Sequence, residues 1–447
     1  MYFDANFKTM KRILALSLVS LLMLSSGKPL PLKNPSDSLK ERVLQLAREV
    51  EPKVVNWRHW VHQNAELSNR EFKTAAYVAA HLKSLGMEVQ EGVAKTGVIG
   101  ILKGGQPGPV IGLRADMDGL PVKERADLPW KSTQMGEYQG KEVPVMHACG
   151  HDTHVAILMG VATVLAELKE ELKGTIKFVF QPAEEGAPEG EEGGAQLMVK
   201  EGVTEGMDVM FGLHINSQTE VGKVRYRPNG IMAAVNSFKI HIKGKQTHGS
   251  TPWTGIDPIV TAAQIINNAQ TVVSRSLPLT KAAAVLTFGK MEGGVRSNII
   301  PEEVELVGTI RTLDAEMRET LFERFHTIVE NTAASNGAEA TLSIDEGYPV
   351  TFNNPELTAL MADTFTEVAG AEHVDANMDA ITGAEDFSFF QEQIPGLYFF
   401  IGGMPKGQDP AQAAPHHTPD FYVDDSGMLT GIRLMSRLVV DYAEKVE

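Results

Sequence analysis

A single cysteine, Cys149, stands among the 447 residues. No disulfide can close within the chain, so Cys149 is a buried apolar group, a reactive thiol or a metal ligand. Positive charge is also scarce: 41 basic against 57 acidic side chains leave a formal charge of −16 and a pI near 5.3. A nucleic-acid binder needs a basic footprint to displace phosphate counterions, so that class is set aside. The sequence also lacks internal repeats and low-complexity tracts. What is present is ordinary for a globular protein, 43% apolar and 22% charged. At about 150 residues per domain, the length suggests two or three domains.

The first 27 residues read as a secretory signal peptide. Lys8, Lys11 and Arg12 form a basic flank, and twelve apolar or small residues, 13–24, precede Ser25, Ser26 and Gly27. Twelve is short of the ~20 residues that a spanning helix needs. Met10 is an alternative start. The expectation is an exported protein, periplasmic or secreted, with no stable membrane anchor once the leader is removed. No cysteine follows the leader to carry a lipid.

Beyond the leader, apolar residues at helical spacing predict two helices across 38–91, over 39–67 and 71–85. Short β-rich runs bounded by Gly and Pro follow at 97–102 and 109–117. A helix over 155–172 and strands over 175–181 and 207–215 continue an alternating pattern. That alternation implies a mostly parallel central sheet with helices on both faces. From 232 the order becomes strand 236–243, helix 257–275, strands 283–290 and 303–313, helix 316–335 and strand 339–345. This βαββαβ order is ferredoxin-like and reads as an insertion. The α/β pattern then resumes with helix 355–369, strand 397–402 and helix 427–445. The expected organisation is a catalytic domain in two parts, 28–231 and 348–447, around an inserted α+β domain at 232–347.

Polar clusters follow the predicted strands of the first domain. Arg114-Ala-Asp116-Met-Asp118 closes one strand and Gln181-Pro-Ala-Glu184-Glu185 another. Gly212-Leu-His214 closes a third, and His416-His417 follows the last after a loop. His147-Ala-Cys149-Gly-His151-Asp152-Thr-His154 precedes the long helix. In an open parallel sheet the carboxyl ends of strands line one crevice where ligands bind. Thiol, imidazole and carboxylate together form a donor set for a divalent transition metal, zinc or manganese. Singly, each piece has a plainer account: a core cysteine, capping histidines, a solvated pair of glutamates. His59, His62, His81, His241, His326 and His373 lie in predicted helices or strands without such company and read as surface or structural groups.

The motifs HACGHDTH, QPAEEG, GLHI, THGSTPWTGIDP, RSNIIP, GAEDFSFF and HHTPDF occur in the order seen in the M20 metallopeptidase family. The sequence resembles its amidohydrolase branch of hippurate hydrolases, N-acyl-amino-acid amidohydrolases and plant auxin-conjugate hydrolases. The opening WVHQNAELSNREF is similar too, so the likeness covers residues 55–445. The resemblance implies an α/β fold: a dinuclear-metal, aminopeptidase-like catalytic domain with an inserted ferredoxin-like lid and dimerisation domain. It implies two divalent ions per subunit (Zn or Mn, with Co or Ni as further options) held by Cys149, His151, Glu185, His214 and His417. Cys149 would bridge the two ions. Glu184 would be the general base, and Asp118 would stand behind the ligands or on the substrate side, with Asp116 structural. From the lid, His248 would donate to the developing oxyanion, while Asn298 and Arg311 would hold the substrate carboxylate. Members of the family pair through the lid, so a homodimer is expected, with His248 crossing to the neighbour's site. The loop at 185–194, EGAPEGEEGG, is longer than usual, and its Glu189, Glu191 and Glu192 read as solvated surface groups.

The leading expectation is an exported metal-dependent amidohydrolase that releases a free amino acid from an N-acyl amino acid or short peptide. A dipeptidase or carboxypeptidase with the same machinery is the second. A periplasmic metal- or amino-acid-binding protein without catalysis is the third, and it leaves Glu184 and His248 without a function.

Overall fold

The computed structural model describes residues 38–446. The segment read as a leader, 1–27, lies outside the described residues. The described residues from Val43 onward belong to one compact unit, and the first helix begins just before it, at Leu39. No helix among the described residues is long and apolar enough to cross a membrane.

The main elements are α1 (Leu39–Gln63), α2 (Phe72–Ser84), β1 (Glu88–Val93), β2 (Gly97–Lys103), β3 (Gln106–Asp116), α3 (His151–Glu167), β4 (Lys173–Gln181) and β5 (Val209–Glu220). The inserted segment holds β6 (Ala234–Lys243), α4 (Pro258–Thr271), β7 (Ala284–Gly293), β8 (Glu303–Thr312), α5 (Ala315–Ser335) and β9 (Glu339–Glu346). The chain ends with α6 (Pro355–Ala369), β10 (Gly396–Met404) and α7 (Met428–Lys445).

Eight strands form the central sheet in the order β1-β2-β4-β3-β5-β10, followed by the two-residue strands Val224–Arg225 and Val374–Asp375. The middle of the sheet, β4-β3-β5-β10, is parallel, and β1 and β2 add antiparallel on one side. The parallel strands are apolar on both faces because both are covered. Every residue of β10 is buried. On one face α3 is wedged between α1 and α7, and a Cβ on its Gly160 would stand 2.7 Å from Val54 Cγ2 and 3.4 Å from Ile432 Cγ1. Ala195, Met198, Phe387 and Phe390 belong to the core on the other face.

The inserted unit has its own sheet, in the order β7-β8-β6-β9, all antiparallel. Its helices start where the sequence supplies caps. Asp257 accepts the N–H groups of Ile259 and Val260 with Pro258 at the first helical position, and Asp314 accepts that of Met317. Phe238, Phe288 and Phe325 pack edge to face at 5.0–6.1 Å between this sheet and α5. Phe238 and Phe325 are fully buried, and each contributes roughly 1.5–3 kcal/mol.

Two readings change. Residues 88–91, included above in the span of the two helices, belong to β1, an edge strand whose residues are exposed or half-buried. The long helix begins at His151 and ends at Glu167, not over 155–172. Its first turn is polar yet buried, because Asp152 pairs with Arg58 at 3.0 Å and His62 at 2.9 Å across to α1.

Candidate active site

The parallel register brings the polar motifs to one edge. Asp116 at the end of β3 lies opposite Gln181 at the end of β4, and His214 in β5 lies beside Phe400 in β10. α3 starts at the same edge, so the Cys149-Gly150-His151 turn enters the crevice. Gly150 has φ 100°, and a Cβ there would stand 2.5 Å from Ile215 Cγ2. Only glycine fits that turn.

Hydrogen bonds decide which imidazoles have a nitrogen to offer. His214 Nδ1 donates to the Ile215 carbonyl at 2.6 Å, which leaves Nε2 with its lone pair 3.3 Å from Cys149 Sγ. His151 Nδ1 donates to the Asp118 carbonyl at 3.0 Å, with the Asp118 carboxylate at 3.2 Å, and its Nε2 is buried without a hydrogen-bond partner. His417 points Nε2 at Cys149 Sγ, 3.2 Å away, and at Glu185 Oε1, 3.2 Å away. For His151 and His214 the far nitrogen is anchored and the near one faces the thiol side, which is how metal-binding imidazoles are oriented. By contrast, both nitrogens of His154 are occupied, by Asp116 at 2.6 Å and the Ile215 N–H at 2.9 Å. His416 is likewise spent on the Cys149 carbonyl and the Ser217 N–H.

Among the described residues, donor atoms close enough to share an ion form the sets Cys149–His151–His214, Cys149–Glu185–His417, His151–Glu184–Glu185, Asp116–His151–His154 and Glu184–Glu385–Asp386. Cys149 is common to the first two, as a bridging ligand would be. The Oε1 of Glu185 is also buried without a hydrogen-bond partner. Orphaned buried donor atoms on His151 and Glu185, around a thiol, fit divalent metal. Asp118 stands behind this set, accepting from Ser68 Oγ at 2.7 Å and the Glu185 N–H at 2.9 Å. Asp116 is fixed by Arg114 at 2.6 Å and by His154.

Electrostatics point the same way. Burial opposes protonation of His151, but Asp116 and Asp118 outweigh it and hold its pKa at about 10, so that a metal ion at Nε2 would take the place of a proton. Burial, then Glu185 and Glu184, push the Cys149 thiol well above its ordinary value. Burial, with Glu385, Glu185 and Asp386 adding charge, raises Glu184 well above the usual carboxylate range. A thiol and carboxylates pressed together in this way call for cations between them.

The cluster opens into a cavity of about 370 Å³. Cys149, Glu184, Glu185, His214 and His417 are in its lining, together with the apolar or aromatic Met232, Tyr348, Ile381 and Phe400. His248, Asn298 and Arg311 are not in its lining. His248 is exposed, with Nδ1 accepting the Ser250 N–H at 3.0 Å, and the Asn298 carbonyl accepts the Gly249 N–H beside it. Arg311 donates to Thr309 Oγ1 at 2.7 Å within the lid sheet.

Sequence reasoning gave no role to Tyr348, Glu385 or His416, all of which reach the cavity. Glu385 and His416 sit inside the GAEDFSFF and HHTPDF motifs, but Tyr348 carried no local signal. Of the loop carboxylates, Glu189 and Glu192 are exposed as expected and Glu191 is not. Glu191 is bound by Arg70 at 2.7 Å, by Asn69 at 3.0 Å and by Lys95, which lowers its pKa to about 2 through hydrogen bonds to Arg70 and Lys95.

A thiol–imidazole–carboxylate donor set at the carboxyl edge of a parallel sheet, beside a cavity, defines a metal-dependent hydrolase of α/β fold. The chain belongs to peptidase family M20/M25/M40, whose model matches residues 112–441. It is 37% identical to thermostable carboxypeptidase 2 of Saccharolobus solfataricus, over 91% of this chain and all of that one. It is equally identical to the N-acetyl-L-cysteine deacetylase of Bacillus subtilis, over 85% of this chain and 86% of that one. Among solved structures, a dinuclear metal binding peptidase of the M20 family from Bacillus subtilis superposes with a TM-score of 0.74 at 31% identity, covering 89% and 99% of the two chains. The dinuclear-metal fold implies divalent ions, and the chain is a metal-dependent hydrolase acting on amides or peptides.

Proposed function

We propose that the protein is an exported, dimeric amidohydrolase that releases a free amino acid from an N-acyl amino acid or short peptide, with Glu184 as general base. Two divalent ions, zinc or manganese, held by Cys149, His151, Glu185, His214 and His417 would supply Lewis-acid polarisation of the scissile carbonyl and acidify the attacking water. The thiolate favours zinc over harder ions. Glu184 takes the proton from that water and passes it to the leaving amine. Its raised proton affinity suits that role, and the charge of bound ions would keep it ionised at neutral pH.

The observation that carries this reading is the adjacent glutamate pair at the thiol and imidazole cluster. Both carboxylates line the cavity, and Glu185 Oε1 lies 3.2 Å from His417 Nε2, in the group that also holds Cys149. The bacterial relative named as a deacetylase supports the amidohydrolase reading, and the archaeal relative named as a carboxypeptidase supports a peptidase reading of the same site.

The place of the lid residues supports a dimer. His248, Asn298 and Arg311 do not line their own protomer's cavity, so a second copy would deliver His248 to it. The lid also carries exposed apolar groups, with Trp253 78% and Val295 93% exposed, and β7 is an open sheet edge. Such a surface is what a partner covers. Export rests on the leader pattern alone. Hydrolysis of hippurate, acetyl-amino acids and dipeptides, with and without chelator, tests the function. Chelator-sensitive release of amino acid is expected, and binding without turnover would leave the non-catalytic reading.

A further inference from the structure

We propose that Glu71 is a positioning residue that holds the Ala183–Glu185 turn and thereby aims the Glu184 carboxylate. This inference rests on Glu184 being the general base. Glu71 is fully buried and does not line the cavity. Its Oε1 accepts two backbone N–H groups, those of Asn69 and Ala183, each at 2.9 Å, and its Oε2 accepts the Thr96 hydroxyl.

Ala183 immediately precedes the catalytic pair and has φ 48°, a left-handed conformation that a residue with a Cβ resists. Such a conformation persists only where its surroundings over-determine it. Here each successive backbone group is tied to a different segment. The Ala183 N–H goes to Glu71, the Glu184 carbonyl accepts from Tyr348 Oη at 2.6 Å, and the Glu185 N–H goes to Asp118 at 2.9 Å. Asn69 and Arg70, next to Glu71, bind Glu191 and close the long loop over the same region. The last residues of the WVHQNAELSNREF motif thus form the mould in which the QPAEEG turn is set.

The role is geometric. Burial and the neighbouring Asp118 charge push the Glu71 carboxyl up to about 8, yet Oε1 accepts the same two N–H groups in either protonation state. A glutamine would keep that acceptor and turn its amide toward Thr96. An aspartate would keep the charge but withdraw the oxygens by one methylene. Misplacing a catalytic group by about 1 Å costs up to a hundredfold in rate.

The test compares Glu71→Gln, Glu71→Asp and Thr96→Val in the full metal-loaded protein, with an N-acetyl amino acid as probe. It records kcat, KM, metal content and, after chelation, Tm. Glu71→Gln should keep kcat within about threefold, whereas Glu71→Asp should lose about tenfold or more in kcat at unchanged KM and metal content. Thr96→Val, which frees one oxygen of Glu71, should lose kcat in the same manner but less, and it serves if the aspartate variant does not fold. Full kcat in Glu71→Asp or in Thr96→Val, or an equal loss in Glu71→Gln, overturns the proposal. Glu184→Gln run alongside separates the two levels: if it stays active the general-base reading falls, and if it is dead while Glu71→Asp is normal only the positioning role falls.

Discussion

Cys149 Sγ lies 3.2 Å from Nε2 of His417, a residue 268 positions further along the chain. On its other side His214 Nε2 stands at 3.3 Å. A sulfur between two imidazole nitrogens stands where a bridging ligand would be needed. Cys149→Ser replaces the soft thiolate with a poor ligand. Metal content and turnover are expected to fall together, as measured by elemental analysis and steady-state rates on the same preparation. Unchanged metal content would remove Cys149 from the ligand set.

Arg311 carries the prediction on substrate charge. If it grips the substrate carboxylate, converting that group to an amide costs about 1.5–3 kcal/mol, roughly ten- to a hundredfold in kcat/KM. Arg311→Ala should erase most of that discrimination while remaining folded, since the guanidinium bonds to Thr309 and Ile310 within its own sheet. Equal rates on free-acid and amide substrates in the unmodified protein would reject the clamp.

His147 sets a pH dependence of stability. Its ring is buried with neither nitrogen hydrogen-bonded, and burial lowers its pKa from 6.5 to about 4. The folded state therefore favours the neutral ring. The stability this contributes is present above pH 6.5, is lost as pH falls toward 4, and changes no further below that. The two values correspond to roughly 3 kcal/mol. In chelated protein, His147→Leu should lose less stability between pH 7 and pH 4 in urea titrations than the unmodified chain. Parallel losses would show that His147 is not the linked group.

The gathering of thiol, imidazole and carboxylate side chains at one place was legible because an α/β sheet delivers its strand ends to one edge, so chemistry at those ends declares itself in sequence. The inserted βαββαβ order was legible for a similar reason, since each element carries its own cap or apolar period. What failed depended on distant partners. The first turn of α3 did not read as buried helix, because Asp152 needs Arg58 and His62 to be buried. β1 lacked alternation because an edge strand with little buried surface has no face to declare. Glu191 read as solvated because its partners Asn69, Arg70 and Lys95 lie about a hundred positions away. Tyr348 reaches Glu184 only through the return of the chain from the lid.

The central claim is that Glu184 moves protons and Glu185 binds metal, and one paired measurement tests it most directly: metal content and turnover of Glu184→Gln against Glu185→Gln. The account predicts that Glu184→Gln keeps its metal while turnover falls by about 10²- to 10⁴-fold, and that Glu185→Gln loses metal and activity together. Metal loss in Glu184→Gln, with metal retained in Glu185→Gln, would contradict it and reverse the two roles.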